Sequence, residues 1–586
     1  MGAQGSCVAE PEPALEEAEC QMCVHQYLFP MYVVKVSNFL QMDDGSAPEP
    51  HHVLREKGLL HEWQPGMFVI FVSHQWLGAQ QPDPSGSQLS VLRAALRGLI
   101  DRSLRVEADI TSMDMSKALK PTVLQKVGEG YLFLDWFAIP QITARKHGVN
   151  EVDILSSTRS DAALAVQSIP AYVEASDLFL ALVPDLVHSD TGKQCNYLSW
   201  LSRGWCRAEL WCRLLSNRED TTVVVIFSAQ EAEFIFPMDW QQNRIYDGLF
   251  TVESDRAEVV KLGEMALRSK LDHLRVHGPL SHYRFYLARR PQLLTQGKEE
   301  WDLPGFLKFF DFPSVEAAVK EEVGMTGMLC AVLAGDTAIL RQLVEHRAEA
   351  NGRVVGMGDL GYYDSQTLLM VAAKSHQEPV VLSTLISLRA DPNLVSRADI
   401  GPIWLARHPG HVRVLMAARA DMNASFPLNG VAGRGSAETV RVFLESRCDP
   451  SQGSDDGFSP LHSVPLFGRS NPDAYATTRL LVEYRADVNF RCTFSFHMTS
   501  MVLLAKAHVA IWGLEGAGSF WRKLATLPGA TALATAAMTG DKGLVELLLE
   551  LHAEVDIPND RGDTPEALAR AGGHKDLLPL LDTFGV

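Results

Sequence analysis

The side chains of this chain best suited to chemistry lie in three short segments: Phe68-Val-Ile-Phe-Val-Ser-His-Gln-Trp76, Tyr131-Leu-Phe-Leu-Asp-Trp-Phe-Ala-Ile-Pro-Gln141 and Arg203-Gly-Trp-Cys-Arg-Ala-Glu-Leu210. Ser73, His74, Trp76, Asp135, Trp136, Trp205 and Glu209 offer a hydroxyl, an imidazole, carboxylates and indoles, a set that could hydrogen-bond a ligand and stack on a flat ring. In the first two segments an apolar run stops abruptly at polar or aromatic residues, the pattern of a strand buried on both faces of a parallel sheet. Ser73, His74 and Asp135 then fall at carboxyl ends of strands, where open α/β sheets bind ligands. The third segment opens a helix that carries Glu209. Plainer roles stand beside these. Glu209 and Arg213 are spaced i and i+4, a surface pair worth about 0.3–0.5 kcal/mol. Trp205, Ala208, Trp211 and Leu215 form a stripe suited to a core. Cys206 suits a small buried hydrophobe, and Asp135 could cap the loop that follows it.

The elements that must position these residues read as strand 67–73, helix 88–104, strand 131–137, helix 161–175, strand 177–183, helix 204–215 and strand 221–228. This alternation makes βαβ units with right-handed crossovers, and so predicts a small, doubly wound parallel α/β sheet over 65–230. The apolar stretch Tyr27 to Met42, within an N-terminal extension 27–64, is expected to cover a sheet edge. Residues 231–322 read as a helical connector, with Asp255 to Val276 the clearest amphipathic run.

Beyond 322 the chain repeats itself. Arg347-Ala-Glu-Ala-Asn351, Arg389-Ala-Asp-Pro-Asn393, Arg419-Ala-Asp-Met-Asn423 and Arg485-Ala-Asp-Val-Asn489 each close a helical apolar pattern, with weaker versions at Arg447-Cys-Asp-Pro450 and His552-Ala-Glu-Val-Asp556. Their spacing gives a period near 33 residues. With Ser459-Pro-Leu-His462 and Thr564-Pro-Glu-Ala567 it resembles the ankyrin repeat, which implies an all-α solenoid over 323–586 of about seven to eight units, some degenerate. Arg stands where the family's turn has Gly, placing a Cβ where φ > 0 is favoured, which should loosen those turns. The unit around 490–525 reads as eroded.

The α/β segments resemble the Toll/interleukin-receptor (TIR) fold and the fungal heterokaryon-incompatibility (HET) domain. Val69-Ile-Phe-Val-Ser73 is similar to the first TIR strand and Trp205-Cys-Arg-Ala-Glu-Leu210 to its W-C-x-x-E-L, while Ser73-His-Gln-Trp-Leu-Gly78 and Leu134-Asp-Trp-Phe-Ala-Ile-Pro-Gln141 resemble HET motifs. His74 and Pro140 depart from the HET pattern, and the Gly-bearing loop of TIR enzymes has no clear counterpart after Asp135. The resemblance implies self-association or ligand sensing and, alternatively, cleavage of NAD as a substrate with Glu209 catalytic, its carboxylate stabilising an oxocarbenium-like ribose. No cofactor is required in either case.

With 586 residues, 46% hydrophobic and 21% charged, the chain is long enough for several folded domains. A formal charge of −18 repels phosphate backbones and argues against a nucleic-acid partner. Nine scattered cysteines imply no disulfide framework, and a cytoplasmic location is expected. Cys20-Gln-Met-Cys23 with His25 is half a zinc site with no second ligand pair, so no metal is expected. Residues 1–26 read as a disordered acidic tail. Its Met1-Gly2-Ala3-Gln4-Gly5-Ser6 fits N-myristoylation at Gly2, with Cys7 placed for palmitoylation, and the pair could attach the chain peripherally to membranes. Ankyrin units imply protein partners on their concave face.

Overall fold

The computed structural model describes residues 27–583 except 44, 109–116, 142–160, 296, 298–299, 424–425, 452, 454–456 and 494–495. Gly2, Cys7, Cys20, Cys23 and His25 lie outside the described residues.

β-Branched and aromatic runs form the strands. β1 (Tyr32–Lys35), β2 (Leu60–Glu62), β3 (Val69–His74), β4 (Val106–Glu107), β5 (Tyr131–Phe133), β6 (Leu178–Leu182), β9 (Val223–Ser228) and β10 (Glu231–Phe234) make an eight-stranded sheet ordered β2-β1-β5-β3-β6-β9-β10-β4. The short β7 (Leu186–Val187) and β8 (Gln194–Cys195) pair with each other. The central strands β5, β3, β6 and β9 run parallel. Alternate side chains of β3 serve opposite faces: Val69 and Phe71 join one core with helices Ile169–Ala175 and Gly204–Leu214, and Ile70 and Val72 join another with helix Ser87–Asp101. Burial on both faces is why the run reads as continuously apolar.

The sheet is larger than the small parallel one expected. The stretch expected to cover an edge contributes β1, which pairs antiparallel with β5 and with β2. In the stretch expected to be helical, β10 turns back antiparallel on β9, and β4 adds a parallel edge strand beside it. Pairing satisfies backbone groups that an open edge would expose. The expected strand 131–137 is shorter. It stops at Phe133, and Asp135–Ala138 is a helical turn within which the Asp135 carboxylate accepts from Trp136 N at 2.6 Å.

The repeats are helix pairs, from Gly327–Ala334 with Thr337–Glu345 to Pro565–Gly572 with Leu578–Thr583. In the third pair the first helix shrinks to a 3-10 turn, Pro402–Leu405. Arg347, Arg389, Arg419, Arg447 and Arg485 all sit at φ between 62° and 71°, and His552 at 66°. The expected loosening is offset by the preceding repeat. Asn351 Nδ2 donates to Arg389 O (3.2 Å) while its Oδ1 accepts from Asp391 N (2.8 Å), and Asn393 binds Arg419 O and Asp421 N at the same distances.

The region 490–525 is not an eroded unit of the stack. It is an inserted helical segment, Phe496–Gly516, kinked at Gly513, followed by the helix Ser519–Thr526, and the repeats on either side of it stack directly: Pro460–Phe467 on Ala532–Thr539, and Ala474–Glu483 on Lys542–Glu550. Asn489 makes the inter-repeat bridge across the insertion, donating to Glu554 Oε1 and accepting from Glu554 N, each at 2.9 Å. The insertion buries a small core of its own, including Val502, Ala505, Val509, Leu524 and Ala525.

Sheet and repeats meet along a seam whose acids come from the α/β side and whose bases come from the repeat side. Lys523 Nζ reaches Glu231 (2.9 Å) and Glu233 (2.8 Å), and Arg469 reaches Glu231 (3.1 Å). Arg434 reaches Asp239 at 3.2 Å. Glu107 of β4 accepts from Phe520 N at 2.6 Å, so the α/β edge caps an inserted helix. Burial alone would raise the Glu231 carboxyl, but Arg469 and Lys523 outweigh it and hold the group well below the usual range.

Candidate functional site

β3 lies between β5 and β6, where the chain's winding reverses, so its carboxyl end is the sheet's switch point. Ser73 and His74 are its last residues and are buried. Helix Gly204–Leu214 runs across this end and brings Glu209 to Ser73, whose Oγ donates to Glu209 Oε2 at 2.5 Å. Trp200 Nε1 donates to the same Oγ at 3.0 Å. The serine is thereby committed on both sides. No described residue hydrogen-bonds Glu209 Oε1, which leaves that oxygen for an incoming group.

Beside this pair is a second one. His74 Nε2 lies 2.9 Å from Asp135 Oδ1, and Nδ1 lies 2.8 Å from Gln88 Oε1. Gln88 Nε2 donates to Gln75 O at 3.2 Å, which orients its amide so that the oxygen faces the imidazole. Both ring nitrogens meet acceptors, so both carry protons and His74 is an imidazolium. Burial opposes that charge, and the Asp135 carboxylate overcomes it, raising His74 above its ordinary value. Asp135 is held below its own usual value because His74, Trp76 Nε1 (2.9 Å) and Trp136 N outweigh burial. Its side chain keeps 30% exposure against 2% for His74, so the pair opens to solvent on the aspartate side.

Glu209 carries the opposite shift. Burial, with a smaller push from Asp135, raises it to about 8 against the pull of Ser73 and His74. At neutral pH the site therefore combines an imidazolium, a carboxylate and a protonated carboxyl. Since Ser73 occupies Oε2, the proton of Glu209 is left to Oε1, where it could be donated to a ligand.

The structure gathers Ser73, His74, Trp76, Asp135 and Glu209 in one cluster. Trp136 packs edge-on to Trp76 at 5.5 Å, but its indole is buried and donates to Pro48 O. Trp205 stands apart, its Nε1 donating to Asp255 Oδ2 at 3.1 Å. The Glu209–Arg213 surface pair does not form: buried Arg213 donates to Ser176 O and Asp177 O. Cys206 is buried, its Sγ 3.6 Å from the backbone oxygen of His74, and burial lifts its thiol well above the ordinary range. Sequence reading missed Trp200 and Gln88. The capping box of Asn196 and Ser199, which starts helix Tyr197–Ser202, was the available signal for Trp200.

Among the described residues no helix is long and apolar enough to cross a membrane, and no group of His, Cys, Asp or Glu is arranged to hold a metal ion. The ankyrin-repeat family model matches residues 529–560. Among solved structures, the ankyrin repeat domain of Bcl-3, a member of the IkappaB protein family, is similar at 22% identity, covering 44% of this chain and all of that one with a TM-score of 0.29. No curated protein matches the chain.

Proposed function

We propose that this ankyrin-repeat protein is an interaction scaffold whose α/β module senses a small ligand at the carboxyl end of β3 and passes the change to the repeats. The observation that carries this is the seam. The strands that position the ligand site continue into β10, whose Glu231 and Glu233 hold Lys523 of the repeat region. The carboxyl ends of two first helices, Pro427–Arg434 and Pro460–Phe467, are taken up by this contact, through Arg434 and the neighbouring Arg469. A protein partner is therefore expected at the exposed turn tips, around Glu349, Asp391, Asp421 and Asp487. Self-association through the α/β module and acylation of Gly2 and Cys7 remain parts of the same proposal. The test is hydrogen exchange on the full chain with ADP-ribose as probe. Protection of 69–76 together with altered exchange in 519–526 supports the reading. Protection of the first segment alone removes the coupling, and no protection removes the sensing.

A second reading is favoured by one observation, the meeting of Glu209 with Ser73 at the switch point. In it the α/β module, resembling TIR enzymes, cleaves the nicotinamide–ribose bond of NAD. Ionised Glu209 stabilises the oxocarbenium-like ribose as nicotinamide leaves, and the activity rises as pH passes through about 8. Nicotinamide release by the full chain, lost in Glu209→Gln, supports it. The absence of release at high protein concentration ends it.

A further inference from the structure

We propose that the outer face of the inserted helix Phe496–Gly516 lies on a lipid bilayer bearing anionic headgroups. The helix is apolar on two sides. Val502, Ala505 and Val509 pack against helix Ser519–Thr526. At about 100° per residue, Leu503, Leu504, Ala507, Ala510 and Ile511 fall on the opposite side, and Trp512 falls at its edge, between Leu504 and Ala505. All six are exposed, and the four large ones are between 56% and 75% exposed. Between Val502 and Trp512 this arc is interrupted by His508, whose ring stacks on Trp521 at 5.2 Å. Soluble surfaces rarely carry so continuous an apolar face. The repeats do not need this element, since they stack directly across it.

The margin of the face identifies its occupant. Arg105 lies 5.9 Å from the centre of the Trp512 ring. Among the described side chains, the groove next to Trp512 is lined by Arg561 and Arg570, whose ion-pair partners Asp563 and Glu566 lie outside it. Aliphatic side chains bounded by a tryptophan and arginines match acyl chains beneath anionic headgroups. A chain charge of −18 disfavours other approaches to such a surface, so the basic margin fixes the orientation. A second copy docking face to face would set arginines against arginines.

The experiment is vesicle flotation of the full chain made in a bacterial host, where N-terminal acylation does not contribute. Phosphatidylcholine vesicles are compared with vesicles that also contain phosphatidylserine. Binding to the anionic vesicles should weaken roughly tenfold or more in Ile511→Ser/Trp512→Ser, since each large apolar side chain withdrawn from lipid costs about a tenfold factor or more. It should also weaken with salt and in Arg570→Gln, with thermal unfolding of the variants unchanged. Flotation unaffected by the double substitution, or absent on both vesicles, overturns the proposal. Equal binding to the two vesicle types overturns its anionic component. A dimer in light scattering that the same double substitution dissolves assigns the face to a second copy instead.

Discussion

Ser73 Oγ and Glu209 Oε2, separated by 136 residues of chain, meet at 2.5 Å and tie the end of β3 to helix Gly204–Leu214. The contact commits one carboxyl oxygen and leaves the other without a hydrogen bond from any described residue. It also makes Ser73 a positioning residue, since its hydroxyl is buried and bonded to both Glu209 and Trp200.

Glu209 should leave a mark on stability. Its folded value of about 8 lies above the ordinary 4.5, so the folded chain keeps a proton that the unfolded chain releases, and stability is lost as pH rises between those values. Glu209→Gln should therefore be close to neutral at pH about 5 and stabilising at pH about 8.5, by about 1–2 kcal/mol because water reaches the half-buried carboxyl. Urea unfolding at both pH values checks this. A variant that keeps the wild-type slope would contradict the assignment.

Asp135→Asn should cost about 2–4 kcal/mol, since it leaves the buried His74 imidazolium without its counter-charge. The sign with pH follows from both partners. His74 is raised, so its contribution is complete below 6.5 and fades as pH climbs through the raised value. Asp135 is lowered, so its contribution is present above 3.8 and fades only in stronger acid. The penalty should thus be largest between those two pH values and smaller at about pH 9, as measured by denaturant unfolding.

At the seam, Lys523→Met removes the cation between Glu231 and Glu233 and should destabilise by about 3–5 kcal/mol, because the two buried carboxylates lose the charge that both of them share. Adding Glu233→Gln to Lys523→Met should recover part of that loss. If calorimetry shows the two variants equally unstable, the charge argument fails and packing alone explains the cost.

The turn arginines give the opposite sign. Replacing Arg389 (φ 71°) by Gly should stabilise by about 0.5–1 kcal/mol, because relief of left-handed strain exceeds the entropy that Gly adds to the unfolded chain. Arg389→Ala keeps a Cβ and should be near neutral. Asn351→Ala removes the bridge to Arg389 O and Asp391 N, and should cost about 1 kcal/mol in thermal unfolding.

Local patterns were legible wherever one segment carries its own signal. The buried strands at 69–74 and 178–182 showed as apolar runs, the positive-φ turns as a recurring Arg-Ala-Asp, and the repeat period as its return every 33 or so residues. The family match at 529–560 falls inside that array. Proximity of Ser73 to Glu209, of Gln88 to His74 and of Lys523 to Glu231 has no such signature, because each partner reads alone as an ordinary polar residue. The insertion was hidden for the same reason: its length mimics a repeat, and only the direct stacking of its neighbours excludes it from the array. The sequence by itself determined the central buried strands, the repeat helices and the turns that close them. Tertiary structure alone decided which of their side chains meet, and so which carboxyl keeps its proton, because burial and neighbouring charge are properties of the packed chain.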